Sequence, residues 1–209
     1  MPTTPKVTKQ YKKAVRERIL DAAGRLFSSK GYYDTSMDEI VAESKLSKGA
    51  IYGYFKSKED LFVALQDKQL EESISVLAST FTPGDSAKTK LEKVIDTALG
   101  AMVSASKNSC RINLEINVAA PRMRSVRRRR DDRFMALRRF LEEIIREGIE
   151  NGECRRDVDP NSTALILLAL ADGLSLDWAT TNIDFDWKIL TEQVKKIVAD
   201  GLYRRAGRS

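Results

Sequence analysis

SKLSKGAIYGYF, residues 44–55, sets two serines, two lysines and three aromatics in a stretch the length of one turn and one short helix. Lys45 and Leu46 read as the turn and Ser47 as an N-cap. Ala50, Ile51, Tyr54 and Phe55 then give a short helix one buried side. Tyr52 is adjacent to Ile51 and cannot share its face, so its ring points outward. The water-facing side is therefore rich in lysine, phenol and glycine. Lys48, Lys56 and Lys58 can neutralise phosphates, and Tyr52 and Tyr54 can offer phenolic hydrogen bonds to phosphate oxygens. Gly49, Ala50 and Gly53 let backbone come close to base edges.

The flanking sequence supplies a scaffold for that surface. Upstream, Ile19, Ala22, Ala23, Leu26 and Phe27 repeat at the spacing of a core-facing helix, which Gly31 ends as a C-cap. Ser36 with Glu39 three places on is a capping box, and Met37, Ile40 and Val41 share one face of a second short helix. Ser57 caps a fourth helix. Three short helices with a tight turn between the second and third form a helix-turn-helix whose later helix enters the major groove by its N-terminal end.

Charge points the same way. The 209-residue chain carries a net charge of +6, and residues 1–56 alone hold 11 Lys and Arg against 6 Asp and Glu. Nearly all of the excess thus lies in the segment proposed to meet a polyanion. The chain has no histidine, which excludes Ser-His-Asp, Cys-His and His-zinc chemistry. Cys110 and Cys154 form no C-x-x-C pattern and read as packing thiols of a reduced, cytoplasmic protein. No cofactor or metal is expected. The opening residues lack an apolar core of the signal-peptide kind, and the most apolar run, residues 164–176, contains Asp172 and is too short to span a bilayer, so no membrane role is expected. Tyr52 and Lys56 fit the Y-x-x-x-K of short-chain dehydrogenases, but no glycine-rich phosphate loop accompanies them.

Residues 16–62 as a whole resemble the DNA-binding domain of TetR-family transcriptional regulators. The shared positions include Ile19, Ala22, Ala23, Leu26, Phe27, Gly31, Tyr32, Thr35, Ile40, Ser47, Lys48, Gly49, Tyr52, Tyr54, Phe55, Ser57, Lys58, Glu59 and Leu61. The resemblance implies an all-α chain with a helix-turn-helix domain and a larger helical ligand-binding and dimerisation domain. It implies a DNA-contacting set of Thr35, Ser36, Ser47, Lys48, Gly49, Ala50, Tyr52, Gly53, Tyr54, Lys56 and Lys58. Two positions depart from the family pattern. Lys45 stands in the turn where glycine is usual, so either that backbone is not left-handed or the lysine costs about 1 kcal/mol. Gly53 replaces a bulkier side chain that faces DNA in many relatives.

The expected organisation is a basic arm at 1–15, the helix-turn-helix domain at 16–57 and the effector domain at 58–209. Leu61, Leu65, Ile74 and Leu77 mark helix four, which TPGDS at 82–86 breaks. Leu91, Val94, Ile95, Ala98, Leu99, Met102 and Val103 line one face of the next helix. A short helix at 112–118 is expected before Pro121, and then a long one over 123–150. Asp159 and Pro160 form an N-cap and N1 pair for a helix that is apolar nearly all round. Such a helix needs covering on nearly every side. The resemblance implies that the last two helices meet a second copy, with Leu165, Leu168, Leu174, Val194 and Ile197 at the interface. Met102, Glu115, Phe134, Leu137 and Trp178 are the candidate walls of an effector pocket. RMRSVRRRRDDRF, residues 122–134, reads first as a solvated, salt-bridged helix face and alternatively as a grip for an anionic effector such as a coenzyme A thioester.

The expected function is a dimeric repressor released from a near-palindromic DNA operator by a small molecule. A small helical enzyme using Asp, Glu, Lys or Tyr, and an interaction module that no longer binds DNA, are the alternatives.

Overall fold

The computed structural model describes residues 8–104, 107, 110, 111, 114, 118 and 124–203. Among them the chain runs through α1 (Lys9–Lys30), α2 (Met37–Ser44), α3 (Lys48–Tyr54), α4 (Lys58–Thr80), α5 (Ala87–Ser104), α6 (Arg124–Glu150), α7 (Pro160–Thr180) and α8 (Trp187–Leu202). The helix expected at 112–118, and Glu115 with it, lies outside the described residues.

The helix starts are set by local hydrogen bonds. Ser36 Oγ accepts from Glu39 N while Glu39 accepts in return from Ser36 N. Ser47 accepts from Ala50 N, Ser57 from Asp60 N, and Asp159 from Ser162 N. Each satisfies a donor that the first helical turn leaves open. α1 begins at Lys9 on a Thr8 cap, earlier than the expected arm allows. Lys9, Lys12 and Lys13 therefore sit on exposed helical turns. Those turns bury nothing, so no apolar stripe betrays them.

Two apolar cores follow. The first gathers Ile19, Leu20, Ala23 and Phe27 of α1 with Ile40, Ile51, Phe55, Leu61, Phe62 and Leu65. Phe27, Tyr32 and Phe62 meet with ring centroids 5.3–5.8 Å apart, locking the turn after α1 against α4. Each such side chain contributes about 1.5–3 kcal/mol on burial. The second core joins Leu91, Ile95 and Leu99 of α5, Leu141, Ile144 and Ile145 of α6, Ala164 of α7, and Val194, Val198 and Leu202 of α8. α4 spans both regions: Leu61 to Leu65 serve the first core, and Phe81 just past its end packs on the second. Val126 of α6 also enters the first core, so α4 and α6 together join the two.

The α6–α7 turn is held tightly. Gly148 O accepts from the N–H groups of both Glu153 and Cys154 at 2.8 Å, and Arg155 N donates to Leu202 O at 2.9 Å. A β-carbon at Gly148 would come within 2.6 Å of Cys154 Sγ and 2.7 Å of Ala87 Cβ, so only glycine fits. Cys154 is fully buried there, and burial pushes its thiol pKa up, away from reactivity.

Candidate nucleic-acid interface

α3 lies on the outside of the first core. Its single deeply buried side chain is Ile51, with Phe55 following at the C-cap and Tyr54 packed half-buried against the same cluster. The opposite side is open. Tyr52 is 41% exposed, Ser47, Lys48, Gly49, Gly53 and Lys56 are exposed, and a β-carbon at Gly49 or Gly53 would meet nothing within 4 Å. Ala50 is half-buried. Small, basic and phenolic groups thus occupy one helix face with a clear approach for a second body.

The turn into α3 has an unusual backbone. Lys45 is left-handed, φ 54° and ψ 35°, and it is the positive-φ residue other than glycine among those described. The lysine therefore carries the steric cost that glycine would avoid. Its carbonyl accepts a long bond from Arg18 of α1 at 3.5 Å.

Five of the expected contact residues are engaged within the protein: Ser47 in the α3 cap, Lys48 with Asp38, and Thr35, Ser36 and Lys58. Thr35 is buried and donates its hydroxyl to Gly31 O at 2.7 Å. Ser36 serves the α2 cap, and Glu39 there is held down to about 2, first by its hydrogen bond from Lys30 and then by Ser36. Lys58 turns inward. Its ammonium donates to the carbonyls of Tyr32, Tyr33 and Thr35 at 2.8, 3.2 and 2.7 Å and lies 4.6 Å from the Tyr32 ring centre. Burial lowers the Lys58 pKa, and burial likewise pushes the Tyr32 phenol up to about 12. Lys58 thus has the geometry of a clamp on the turn between α1 and α2.

Two features went unread in the sequence. Lys48 Nζ donates to Asp38 Oδ1 at 2.7 Å, with both side chains well exposed, so a carboxylate sits beside the leading end of α3. Tyr33 is 59% exposed beside Tyr32. The capping box drew notice to Glu39, and nothing in the linear order links Asp38 to a lysine ten residues on.

In the effector domain, Met102, Phe134, Leu137 and Trp178 are half-buried. Met102 packs on the second core. Trp178 meets Phe185 and Trp187 at 5.9 and 5.2 Å, and the Lys107 ammonium stands 4.3 Å above its ring. The five expected interface residues divide. Leu165 and Ile197 are 48% and 69% exposed, Leu168 and Leu174 are half-buried against the second core, and Val194 is buried inside it. Val194 is therefore covered by its own chain. Ile166 and Ile189, which the sequence reading omitted, are exposed on the same two helices.

Known proteins match both halves. The family model described as bacterial regulatory proteins, tetR family, matches residues 19–65, and that described as BetI-type transcriptional repressor, C-terminal, matches residues 87–204. The chain belongs to the TetR family of bacterial transcriptional regulators. This TetR-family chain is 22% identical over 188 residues to the fatty acid metabolism regulator protein of Bacillus subtilis, covering 90% of this chain and 95% of that one. Among solved structures it is similar to a putative transcriptional regulator from Saccharomonospora viridis in complex with choline, with TM-score 0.80, 20% identity, and coverage of 92% and 100%. It is also similar to FadR from Bacillus subtilis in complex with stearoyl-CoA, with TM-score 0.76, 23% identity, and coverage of 90% and 99%. At those identities the likeness speaks for the fold. As a TetR-family member with a repressor-type C-terminal domain, the chain is a DNA-binding transcriptional repressor.

Proposed function

We propose that the protein acts as a cytoplasmic homodimer, without catalytic activity, that occupies a near-palindromic operator and leaves it when an amphipathic small molecule binds. The observation that carries this reading is the open face of α3, where Lys48, Gly49, Tyr52 and Gly53 are exposed over a buried Ile51. Its N-terminal end, capped by Ser47, enters the major groove, with Lys48 and Lys56 on phosphates and Tyr52 at the groove edge. Tyr54 and Ala50 back this surface, and Thr35, Ser36 and Lys58 hold the turn and the α2 start that border it.

Self-association accounts for the apolar exterior of α7 and α8. Pro160–Thr180 is long and apolar enough to cross a membrane by length and composition, and little of it is buried in the single chain. We read a second copy as its cover. Asp172 and Asp177 interrupt the helix, and the exposed apolar surface continues from Leu165 and Ile166 onto Ile189 and Ile197 of α8. Two-fold symmetry would then set the two α3 helices about 34–36 Å apart. An amphipathic effector is supported by relatives whose descriptions name fatty acid metabolism and stearoyl-CoA. Effector and operator compete because each favours a different spacing of the reading heads, and that coupling is reciprocal.

Selection from random duplex DNA, paired with light scattering of the free protein, tests the proposal. A dimer enriching a two-fold symmetric site is expected. A monomer, or a selection without sequence enrichment, contradicts it.

A further inference from the structure

The arginine run divides on α6. Arg127, Arg128 and Arg130 face solvent, and Arg127 lies 4.0 Å from Asp131 one turn on. Arg129 reaches back to Asp67 of α4 at 3.5 Å. One turn further, Arg133 turns inward, and its Nη1 donates to Gln66 Oε1 at 2.6 Å. Arg133 is half-buried, and the described residues give its guanidinium one neutral acceptor and no ion pair. Burial lowers its pKa, and Asp172 on α7 opposes that only through longer-range attraction. The other described arginine–carboxylate contacts of α6, Arg127 with Asp131, Arg129 with Asp67 and Arg146 with Glu142, all involve arginines more than half exposed.

A cation partly withdrawn from water without a counter-charge among the described residues is costly, and one described amide oxygen answers only part of its five-donor fork. Carboxylate and phosphate are the groups whose geometry fills such a fork. The position also matters. Gln66 and Asp67 follow Leu65, which is part of the first core, and α6 sends Val126 into that same core. Arg133 therefore ties α4, which shares the core of the helix-turn-helix domain, to the helix that bears Phe134 and Leu137.

We propose that Arg133 is the anion-reading residue of the effector site: it takes the oxyanion head of an amphipathic effector in exchange for Gln66 and so loosens one of the ties between α4 and α6. This rests on the reading of the protein as an effector-released repressor and names the chemistry of that effector as an acyl chain ending in carboxylate or phosphate.

The test uses the full-length protein without DNA. Thermal unfolding is followed with decanoate, decyl phosphate, decyltrimethylammonium and decanol, each below its micelle concentration. An anionic probe at ten times its Kd raises the parent midpoint by about 3–6 °C, while the cationic and neutral probes do not. The larger of the two anionic responses separates carboxylate from phosphate. Arg133→Gln weakens the anionic response at least tenfold. Gln66→Ala, which keeps the guanidinium and removes its competitor, binds the anion as tightly as the parent or more tightly. It decides the matter if Arg133→Gln does not fold. Equal responses to all four probes, no response to any, undiminished anion binding by Arg133→Gln, or weakened binding by Gln66→Ala would each overturn the proposal. Adding the selected operator separates the two readings: an anion that binds through Arg133 without loosening DNA leaves the site standing and removes the release mechanism.

Discussion

Lys48 Nζ donates to Asp38 Oδ1 across the gap between α3 and α2 at 2.7 Å, at the end of α3 assigned to the major groove. The Lys48 ammonium keeps two further donors for a phosphate, but the Asp38 carboxylate beside it offsets its charge and repels that phosphate. Exposed pairs of this kind are weak and are screened by salt. Asp38→Asn should therefore tighten DNA binding about two- to fivefold at moderate salt, read by fluorescence anisotropy. Weaker binding would mean that Asp38 itself makes a favourable contact.

The left-handed turn predicts a stabilising change. Replacing Lys45 by glycine relieves the steric cost at φ 54° but adds freedom to the unfolded chain, and the first effect is the larger. Urea denaturation of Lys45→Gly should show a gain of about 0.5–1 kcal/mol. A loss would show that the lysine side chain contributes more than its backbone costs.

Lys58 and Lys56 should separate in behaviour although they are two residues apart. Lys58→Met removes three charge-assisted bonds to the Tyr32, Tyr33 and Thr35 carbonyls and should cost about 1.5–3 kcal/mol in stability. Lys56→Ala should leave the melting temperature near the parent's and weaken DNA binding. Equal melting temperatures for the two variants would contradict the clamp.

Acid sensitivity follows from Glu39. Its pKa, lowered to about 2 in the folded chain by Lys30 and the Ser36 cap, means that its charged form favours folding. That stability is present above the ordinary glutamate range and is lost as pH falls from about 4.5 toward 2. The difference in urea midpoint between parent and Glu39→Gln should shrink over that window. A difference constant with pH would assign the effect to shape and not to charge.

Gly148→Ala should be poorly tolerated, since the new methyl group would meet Cys154 Sγ at 2.6 Å and Ala87 Cβ at 2.7 Å. Overpacking of this kind costs about 1–3 kcal/mol. A melting temperature equal to the parent's would mean that the α6–α7 turn can move aside.

Local physics was legible in the sequence and distant packing was not. The caps at Ser36, Ser47, Ser57 and Asp159 depend on residues three positions apart, and the structure has each of them. Ile51 and Tyr52 fell on opposite faces by helical spacing alone. The inward turn of Lys58 depends on carbonyls more than twenty residues away, and Val126 joins a core built from residues 19–65. No periodicity reports such meetings. Val194 and Ile197 looked alike in sequence as apolar residues of one helix, yet one is spent inside the chain and the other is left outside.

Contact of DNA by the leading end of α3 is measured most directly by the salt dependence of operator binding. The slope of log K against log salt should become shallower by about one for each Lys48 replaced by alanine, as expected for the loss of a phosphate contact. An unchanged slope and an unchanged affinity for Lys48→Ala would contradict it.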